Sequence, residues 1–250
     1  MKITLDLRKS AMENAQALFD EAKKFKKKAE GARKAIENTK NKISSSKGTQ
    51  VKESTKRKVG KKKWFHEYKW FKTTNGLLCV GGKNAKQNDT LVAAQLKESD
   101  LFFHADVHGA SAVILKDGVK AKEQDLREAA QFAGCYSNAW KGGSGVADIY
   151  CVGKEQVSKH SHGEFVGKGA FLISGERKWF KNVELKIALG VKNAEVVALP
   201  AIAAEGKKGF VLLVPGGQKK EELFSLLKSK LGLKKNDEFF SLLPGNCEIA

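Results

Sequence analysis

Hydrophobic and polar residues alternate most regularly from Leu101 to Ser111, which predicts a strand with two unlike faces. One face is an unbroken apolar row, made of Leu101, Phe103, Ala105 and Val107. The other face turns polar after Phe102, with two imidazoles and a carboxylate in line: His104, Asp106 and His108. Gly109 ends the run, and a second strand from Ala110 to Leu115 leads to a turn at Asp117-Gly118. This hairpin is the best candidate for a functional site.

Apolar or small residues spaced by three and four predict a long helix from about Ala15 to Ile43. Ser10 and Glu13 form a capping box at its start, and residues 44–48 predict a break before further helix over 49–63. Its seam is mostly alanine, and lysines occupy its outer face. Because no second heptad stretch of this length occurs, we expect the helix to form a homodimer or to pair with a helix outside this sequence.

The remaining pattern predicts an α+β fold, in which a mixed or antiparallel sheet is flanked by helices. The other predicted strands are Lys2–Leu7, Trp70–Lys72, Leu77–Val80, Val146–Val152, Gly169–Ser174, Glu184–Leu189, Val196–Leu199 and Phe210–Val214. The other predicted helices are Ala85–Leu96, Glu123–Trp140 and Lys219–Leu231. We expect a basic coiled-coil arm (1–60), a main domain (61–190) that begins with an aromatic cluster, and a small C-terminal α/β extension (191–250). Core packing is favoured for that cluster, Trp64 to Phe71, over stacking on bases.

The net charge of the chain indicates which class of partner it binds. The chain carries 46 Lys and Arg against 28 Asp and Glu, a net charge of +18. Residues 1–63 contain 20 of these cations and 7 of the acids, so most of the excess lies on the arm. A basic arm indicates a polyanion, either nucleic acid or an anionic membrane surface, although a solvated lysine face is the alternative. We favour nucleic acid.

The sequence does not indicate a membrane protein, a secreted protein, a disulfide-bonded protein or a zinc protein. No apolar run approaches the length of a membrane span and the N-terminus lacks a signal-peptide pattern, so we expect a cytoplasmic protein without a membrane partner. The cysteines lack paired short spacings and lie in apolar contexts, which favours reduced core thiols over disulfides or a zinc site. They are Cys79, Cys135, Cys151 and Cys247.

A glycine-rich turn, Gly81-Gly82-Lys83-Asn84, precedes the predicted helix at Ala85. Free backbone N–H groups at such a helix start bind phosphate, although the pattern by itself is weak evidence. The turn lacks the Lys-Ser/Thr of a nucleotide-binding P-loop, so hydrolysis of a nucleoside triphosphate is not supported.

Three interpretations of the polar hairpin face compete. A metal site would need His104 and His108 to converge, yet their Cα atoms lie about 13 Å apart on a straight strand. A triad of Ser111, His108 and Asp106 packs three members too closely for both required hydrogen bonds. Two interpretations are favoured over these: a surface that binds phosphate, sugar or base edges, and a purely structural His–Asp pair, which the sequence does not separate.

Several separate sequence blocks, in order, closely resemble the NFACT-R domain of the NFACT family, which includes eukaryotic NEMF and its bacterial and archaeal relatives. The blocks are Lys63-Trp64-Phe65, Trp70-Phe71, Val80 to Asn88, Phe103 to Ser111, Cys135 to Trp140, Gln156 to Lys159, Gly163-Glu164-Phe165 and Gly169-Ala170-Phe171. The resemblance spans about residues 61–190. Residues 3–60 are similar to the family's middle coiled coil, with its returning helix, and residues 194–250 to the C-terminal extension of archaeal members.

The resemblance implies a part in ribosome-associated quality control. Family members bind large ribosomal subunits that carry a stalled chain on peptidyl-tRNA, and they recruit charged tRNA for tail addition without mRNA. NFACT-R is regarded in this family as an RNA-binding module, with no enzymatic activity, metal or cofactor implied. No stretch here resembles the family's N-terminal or helix–hairpin–helix regions, so we do not expect this chain alone to synthesise tails.

We therefore expect a module that binds ribosomal RNA or tRNA on the large ribosomal subunit. The predicted RNA-binding residues are Lys83, Asn84, Gln87, Asn88, His104, Asp106, His108, Ser111, Ser158 and Lys159. Two rival functions remain: a metal-dependent hydrolase built on His104, Asp106 and His108, and a protein–protein scaffold at the ribosome that docks through the arm.

Overall fold

The computed structural model describes residues 5–6, 10–45, 63–161, 164–192, 195–232 and 236–250. The chain divides into two compact units, residues 1–60 and residues 61–250. The domain boundaries expected from the sequence stay predictions.

The first unit contains one long helix, α1 (Ala11–Ser45). Its predicted capping box is confirmed, because the Glu13 N–H donates to Ser10 Oγ (3.3 Å) and the Ser10 N–H donates to Glu13 Oε2 (2.8 Å). The Ser10 N–H and the Ser10 hydroxyl both donate to the Glu13 carboxylate, and these two bonds lower its pKa. Helix α1 keeps apolar side chains at the solvent surface within its own unit, with Phe25 57% and Ile36 56% exposed.

Two predictions for this unit lie outside the described residues: the helix over 49–62 and most of the strand Lys2–Leu7. Across the described stretches, the helices do not combine the length and apolar character that a membrane crossing requires.

The second unit is built from antiparallel strands and short helices. Within its described residues the strands are β1 (Lys69–Lys72), β2 (Leu78–Gly81), β3 (Leu101–Ala105), β4 (Val113–Leu115), β5 (Val146–Gly153), β6 (Val157–Ser158), β7 (His160–Ser161), β8 (Glu164–Phe165), β9 (Leu172–Ile173), β10 (Lys178–Glu184), β11 (Ile187–Lys192), β12 (Glu195–Pro200), β13 (Phe210–Pro215) and β14 (Cys247–Ile249). Its helices there are α2 (Ala85–Gln95), α3 (Glu123–Cys135), α4 (Asn138–Lys141), α5 (Lys220–Leu231) and α6 (Asn236–Leu242).

The described strands form two main sheets. The larger has the order β1-β2-β4-β3-β5-β10 and the smaller has the order β12-β11-β13-β14, with every pairing antiparallel. Strands β6 and β9 form a two-stranded ribbon, and so do β7 and β8. The predicted α+β class with a sheet flanked by helices is therefore confirmed.

Period-2 alternation gives the larger sheet two buried faces. Phe103 and Ala105 of β3 belong to the cluster that contains Phe132 of α3. Phe102, their neighbour on the opposite face, packs in a second cluster with Leu91 of α2. The face that the sequence suggested would be open is therefore covered at its Phe102 end, and α2 lies against it.

The C-terminal sheet shares the α3 core rather than forming a separate one. Leu189, Leu213 and Phe239 belong to the same buried cluster as Phe132. The four cysteines are buried thiols, as predicted. Burial raises the pKa of Cys151 and of Cys247 to about 11.

Several element boundaries differ from the sequence prediction. The helix expected over Glu123–Trp140 is interrupted, because Ser137 Oγ accepts from the Ala139 N–H (3.2 Å) and donates to the Gly134 carbonyl (2.7 Å), which starts α4. The second hairpin strand starts at Val113 instead of Ala110. The strand expected over Glu184–Leu189 is the junction of two strands, β10 and β11.

Candidate nucleic-acid interface

The turn between β2 and α2 satisfies its own hydrogen-bonding groups. Asn84 is the N-cap of α2, and its side chain accepts from the Gln87 N–H (2.9 Å). The Gln87 side chain in turn accepts from the Lys83 N–H (3.0 Å) and donates to the Glu67 carbonyl (3.3 Å). Because these groups are engaged, Asn84 and Gln87 shape the helix start, while the Lys83 side chain extends into solvent.

Two other predicted binding residues, Asn88 and Ser111, are 5% exposed. The Asn88 amide donates to the Ala110 carbonyl (3.3 Å) and accepts from the Ala112 N–H (3.2 Å). The Ser111 hydroxyl donates to the Gly82 carbonyl. Both side chains are therefore turned inward, where they fasten the loop after β3 to the start of α2. A direct contact with RNA stays a prediction for both.

Two positions near this contact between α2 and the loop after β3 require glycine, Gly82 and Gly109. A Cβ at Gly82 would lie 2.2 Å from Asn88 Oδ1. Gly109 has a φ of +80°, and a Cβ there would lie 2.1 Å from Asn138 Nδ2, which donates to the His108 carbonyl (2.9 Å). The loop that carries Asp106 and His108 is thus held in place from its two ends.

The predicted row of His104, Asp106 and His108 is divided in the structure, because β3 ends at Ala105. Asp106 and His108 are exposed in the loop, whereas His104 is half-buried between two rings. Its ring centroid lies 6.1 Å from that of Phe102 and 5.9 Å from that of Tyr150. Burial lowers the pKa of His104, against smaller raising effects from the Ala105 and Ala110 backbones and from Asp106.

The two enzyme interpretations gain no support from this geometry. In the described parts of the chain, no group of three His, Cys, Asp or Glu side chains is placed to hold a metal ion. Ser111 donates its hydroxyl to the Gly82 carbonyl and is buried, so it is not presented to a substrate as a nucleophile.

The segment with Ser158 and Lys159 lies beside α2. The Lys159 ammonium forms an ion pair with Asp89 of α2 and lies 4.7 Å from the centre of the Phe171 ring. Asp89 also accepts from the Gly169 N–H (3.0 and 3.1 Å). Ser158 is half-buried in β6, opposite Leu172. The structure thus brings both predicted residues next to the α2 surface, with the Lys159 charge already paired.

Further along the same face lies an aromatic group that the sequence interpretation missed. The strand register aligns His104 of β3, Tyr150 of β5 and Trp179 of β10 in one row. The Tyr150 and Trp179 ring centroids are 5.5 Å apart, and the Arg177 guanidinium lies 4.8 Å from the Tyr150 centroid. Trp179 is 37% exposed. Rings accompanied by cations are what unpaired bases stack on, so this row belongs to the candidate interface.

Two family models match this chain. Residues 67–175 match "NFACT protein RNA binding domain", and residues 1–61 match "NFACT N-terminal and middle domains". The chain belongs to the NFACT family. The resemblance inferred from the sequence blocks is therefore confirmed.

Named relatives of this NFACT chain act in ribosome quality control. It is 36% identical over 205 residues to the "Archaeal Rqc2 homolog aRqcH" of Methanocaldococcus jannaschii, a match that covers 78% of this chain and 30% of the relative. It is 32% identical over 176 residues to the human "Ribosome quality control complex subunit NEMF", covering 68% and 16%. The chain therefore spans less than a third of either relative.

A solved structure, the C-terminal part of the fibronectin/fibrinogen-binding protein of Streptococcus suis, is also similar. It matches 70% of this chain and 77% of its own, with 21% identity and a TM-score of 0.41.

The NFACT RNA-binding model includes the α2 start, the loop after β3 and the Ser158–Lys159 segment, but it ends before Arg177 and Trp179. A signal for the missed group was present in the sequence, since Arg177 to Lys181 consists only of cations and aromatic rings. It was overlooked because strand β10 itself was not predicted.

Proposed function

We propose that this chain is the RNA-binding part of a ribosome-associated quality control factor. In this proposal it binds large ribosomal subunits that retain peptidyl-tRNA, through ribosomal RNA or tRNA. The match of residues 67–175 to the NFACT RNA-binding domain carries the proposal. The names of the relatives supply the ribosomal setting.

The surface around the start of α2 is proposed as the binding face. Lys83 supplies a cation to a phosphate, while Asp106 and His108 offer hydrogen-bonding groups to a nucleotide. The other predicted residues shape or border that face: Asn84, Gln87, Asn88, His104, Ser111, Ser158 and Lys159. Trp179, which is 37% exposed, adds an aromatic ring on which a base stacks.

Within the first unit, exposed apolar side chains on α1 favour a second candidate role, docking on another protein. Phe19 is 67% exposed, and Phe25 and Ile36 are exposed as well. Such residues along a basic helix suit either a second copy of the arm or a separate partner helix. Sedimentation of the full chain distinguishes a dimer from a monomer.

Replacing Lys83 and His108 together by alanine is expected to weaken binding to ribosomal particles and to single-stranded RNA about tenfold at low salt, because a charge-assisted contact is lost. The slope of log K against log salt should become shallower by about 0.7, the value for one phosphate on a single strand. Fluorescence anisotropy with a labelled oligonucleotide measures both quantities.

Lys120→Ala is the matched control. Lys120 is exposed beside the Asp117–Gly118 turn, at the opposite end of the β3–β4 hairpin from the loop with His108. An equal loss of affinity in both variants, or a wild-type affinity that ignores salt, would contradict the proposed face. Crosslinking to ribosomal particles then locates the contacted nucleotides.

A further inference from the structure

Lys69 of β1 lies within electrostatic range of three other lysines of the second unit: Lys83 of the β2–α2 turn, Lys141 at the end of α4 and Lys220 at the start of α5. The Lys69 ammonium lies 3.9 Å from the centre of the Tyr136 ring. The Tyr136 hydroxyl donates to the Leu242 carbonyl (2.7 Å). Tyr136 thus contacts both Lys69 of β1 and the C-terminal segment.

Contacts with neighbouring residues place the other three lysines around Tyr136. The Lys220 ammonium donates to the Leu243 carbonyl (3.2 Å), one residue beyond the Tyr136 hydroxyl bond. The Lys141 Cγ lies 3.5 Å from the position of a Cβ at Gly245. On the other side, Ser111 donates its N–H to the Tyr136 carbonyl (3.1 Å) and its hydroxyl to Gly82, the residue before Lys83.

The four side chains differ from Lys116, Lys159 and Lys181, because no carboxylate in the described residues forms an ion pair with them. Lys116 pairs with Asp100, Lys159 with Asp89 and Lys181 with Asp148.

The electrostatic consequence falls on Lys69. Burial lowers the pKa of Lys69 to about 7, with further lowering by Lys141, Lys220 and Lys83. An anion that enters the cluster offsets the burial and the repulsion that lower the pKa of Lys69, and so favours its charged form.

We propose that Lys69, Lys83, Lys141 and Lys220 form a phosphate-binding site that holds a backbone phosphate of the bound RNA. The site itself follows from the cluster, whereas RNA as the source of the phosphate rests on the proposed function. Four ammonium groups complement the compact charge of a phosphate, and lysine binds phosphate as a point charge. Lys220 lies outside residues 67–175, so the site brings the C-terminal part into the RNA interface.

Binding at this site is linked to protons. The charged groups that face Lys69 are Lys83, Lys141 and Lys220, and Tyr136 forms the uncharged side. A bound phosphate favours the protonated ammonium and raises the pKa of Lys69 above its free value of about 7. RNA affinity should therefore be nearly constant below pH 7 and fall as the pH rises above it, by at most about tenfold per pH unit.

The test uses the full chain, inorganic phosphate and a labelled single-stranded RNA. Phosphate at fixed ionic strength is expected to raise the melting temperature of the wild type relative to chloride, since it binds the folded state. Lys69→Met removes the ammonium whose pKa is lowered but keeps a side chain of similar length. This variant should therefore melt no lower than the wild type, and phosphate should no longer raise its melting temperature. Its RNA affinity should fall about tenfold at pH 6.5.

Two further variants keep the proposal falsifiable. Lys69→Arg keeps its charge above pH 7 and should bind RNA without the pH dependence. Lys220→Met, at the half-buried start of α5, should lose the phosphate shift as Lys69→Met does.

The outcomes separate this site from the proposed function. An identical phosphate shift in the wild type, Lys69→Met and Lys220→Met would overturn the site, while salt-dependent RNA binding by the wild type would leave the proposed function standing. A shift that depends on the lysines, in a protein that does not bind RNA or ribosomal particles, would establish a phosphate site and overturn RNA as its ligand.

Discussion

Replacing Asp100 by alanine is expected to lower the free energy of unfolding by about 3–5 kcal/mol, because it breaks a buried ion pair on one side only. Asp100 is fully buried at the start of β3. It pairs with the Lys116 ammonium and accepts from the Lys97 N–H (2.8 Å) and the Asp117 N–H (2.9 Å). The substitution leaves a mostly buried ammonium and two backbone donors without their acceptor.

Glu98→Ala is the matched control for this loss. Glu98 also pairs with a lysine, Lys154, but the two charged atoms are 3.9 Å apart and the Glu98 side chain is 93% exposed. We expect a change of no more than about 0.5 kcal/mol in urea unfolding. Adding Lys116→Met to Asp100→Ala should recover part of the stability, since the uncompensated charge disappears. Equal effects of Asp100→Ala and Glu98→Ala would refute this explanation.

Local periodicity predicted the parts of the fold that local chemistry determines. The alternation at Leu101–Ala105 marks a real strand because each face packs against a different helix, α3 or α2. The capping box at Ser10 and Glu13 is equally local, and so is the cap that Asn84 places on α2. Each of these signals spans at most five residues.

The predictions failed where a contact between distant residues decides the conformation. Alternation continues through Val107 in the sequence, yet the strand ends at Ala105 because Asn88, from another element, binds the backbone at Ala110 and Ala112. The long helix expected after Glu123 is interrupted by a serine, whose capping ability is local but competes with the apolar periodicity around it.

In the candidate site, too, residues with a local sequence signal could be predicted, and residues that only distant contacts bring together could not. Lys83 could be singled out because it follows two glycines before a helix. Its proposed companions Lys69, Lys141 and Lys220 have no shared local pattern, since about 150 residues separate the first from the last. Only the pairing of β1 with β2 and the packing of the C-terminal segment on Tyr136 bring them together.

Replacing Asn88 by leucine is expected to lower the free energy of unfolding by about 2–4 kcal/mol, because the Ala110 carbonyl and the Ala112 N–H both lose a buried partner. Leucine branches at Cγ as asparagine does and is not smaller, so no cavity forms and the loss of the hydrogen bonds dominates. Asn88→Asp should be less damaging, since one carboxylate oxygen still accepts from Ala112.

Asn88→Leu also decides how this residue serves RNA binding. The buried amide holds the loop with Asp106 and His108 against α2, so RNA affinity should fall when that loop is released. Asn138→Ala is the matched control, because it removes an exposed amide that anchors the same loop at the His108 carbonyl (2.9 Å). Similar losses of affinity in the two variants, with a larger loss of stability for Asn88→Leu, are expected. If Asn88→Leu unfolds like the wild type in urea yet loses RNA binding, Asn88 contacts RNA directly and the positioning role is wrong.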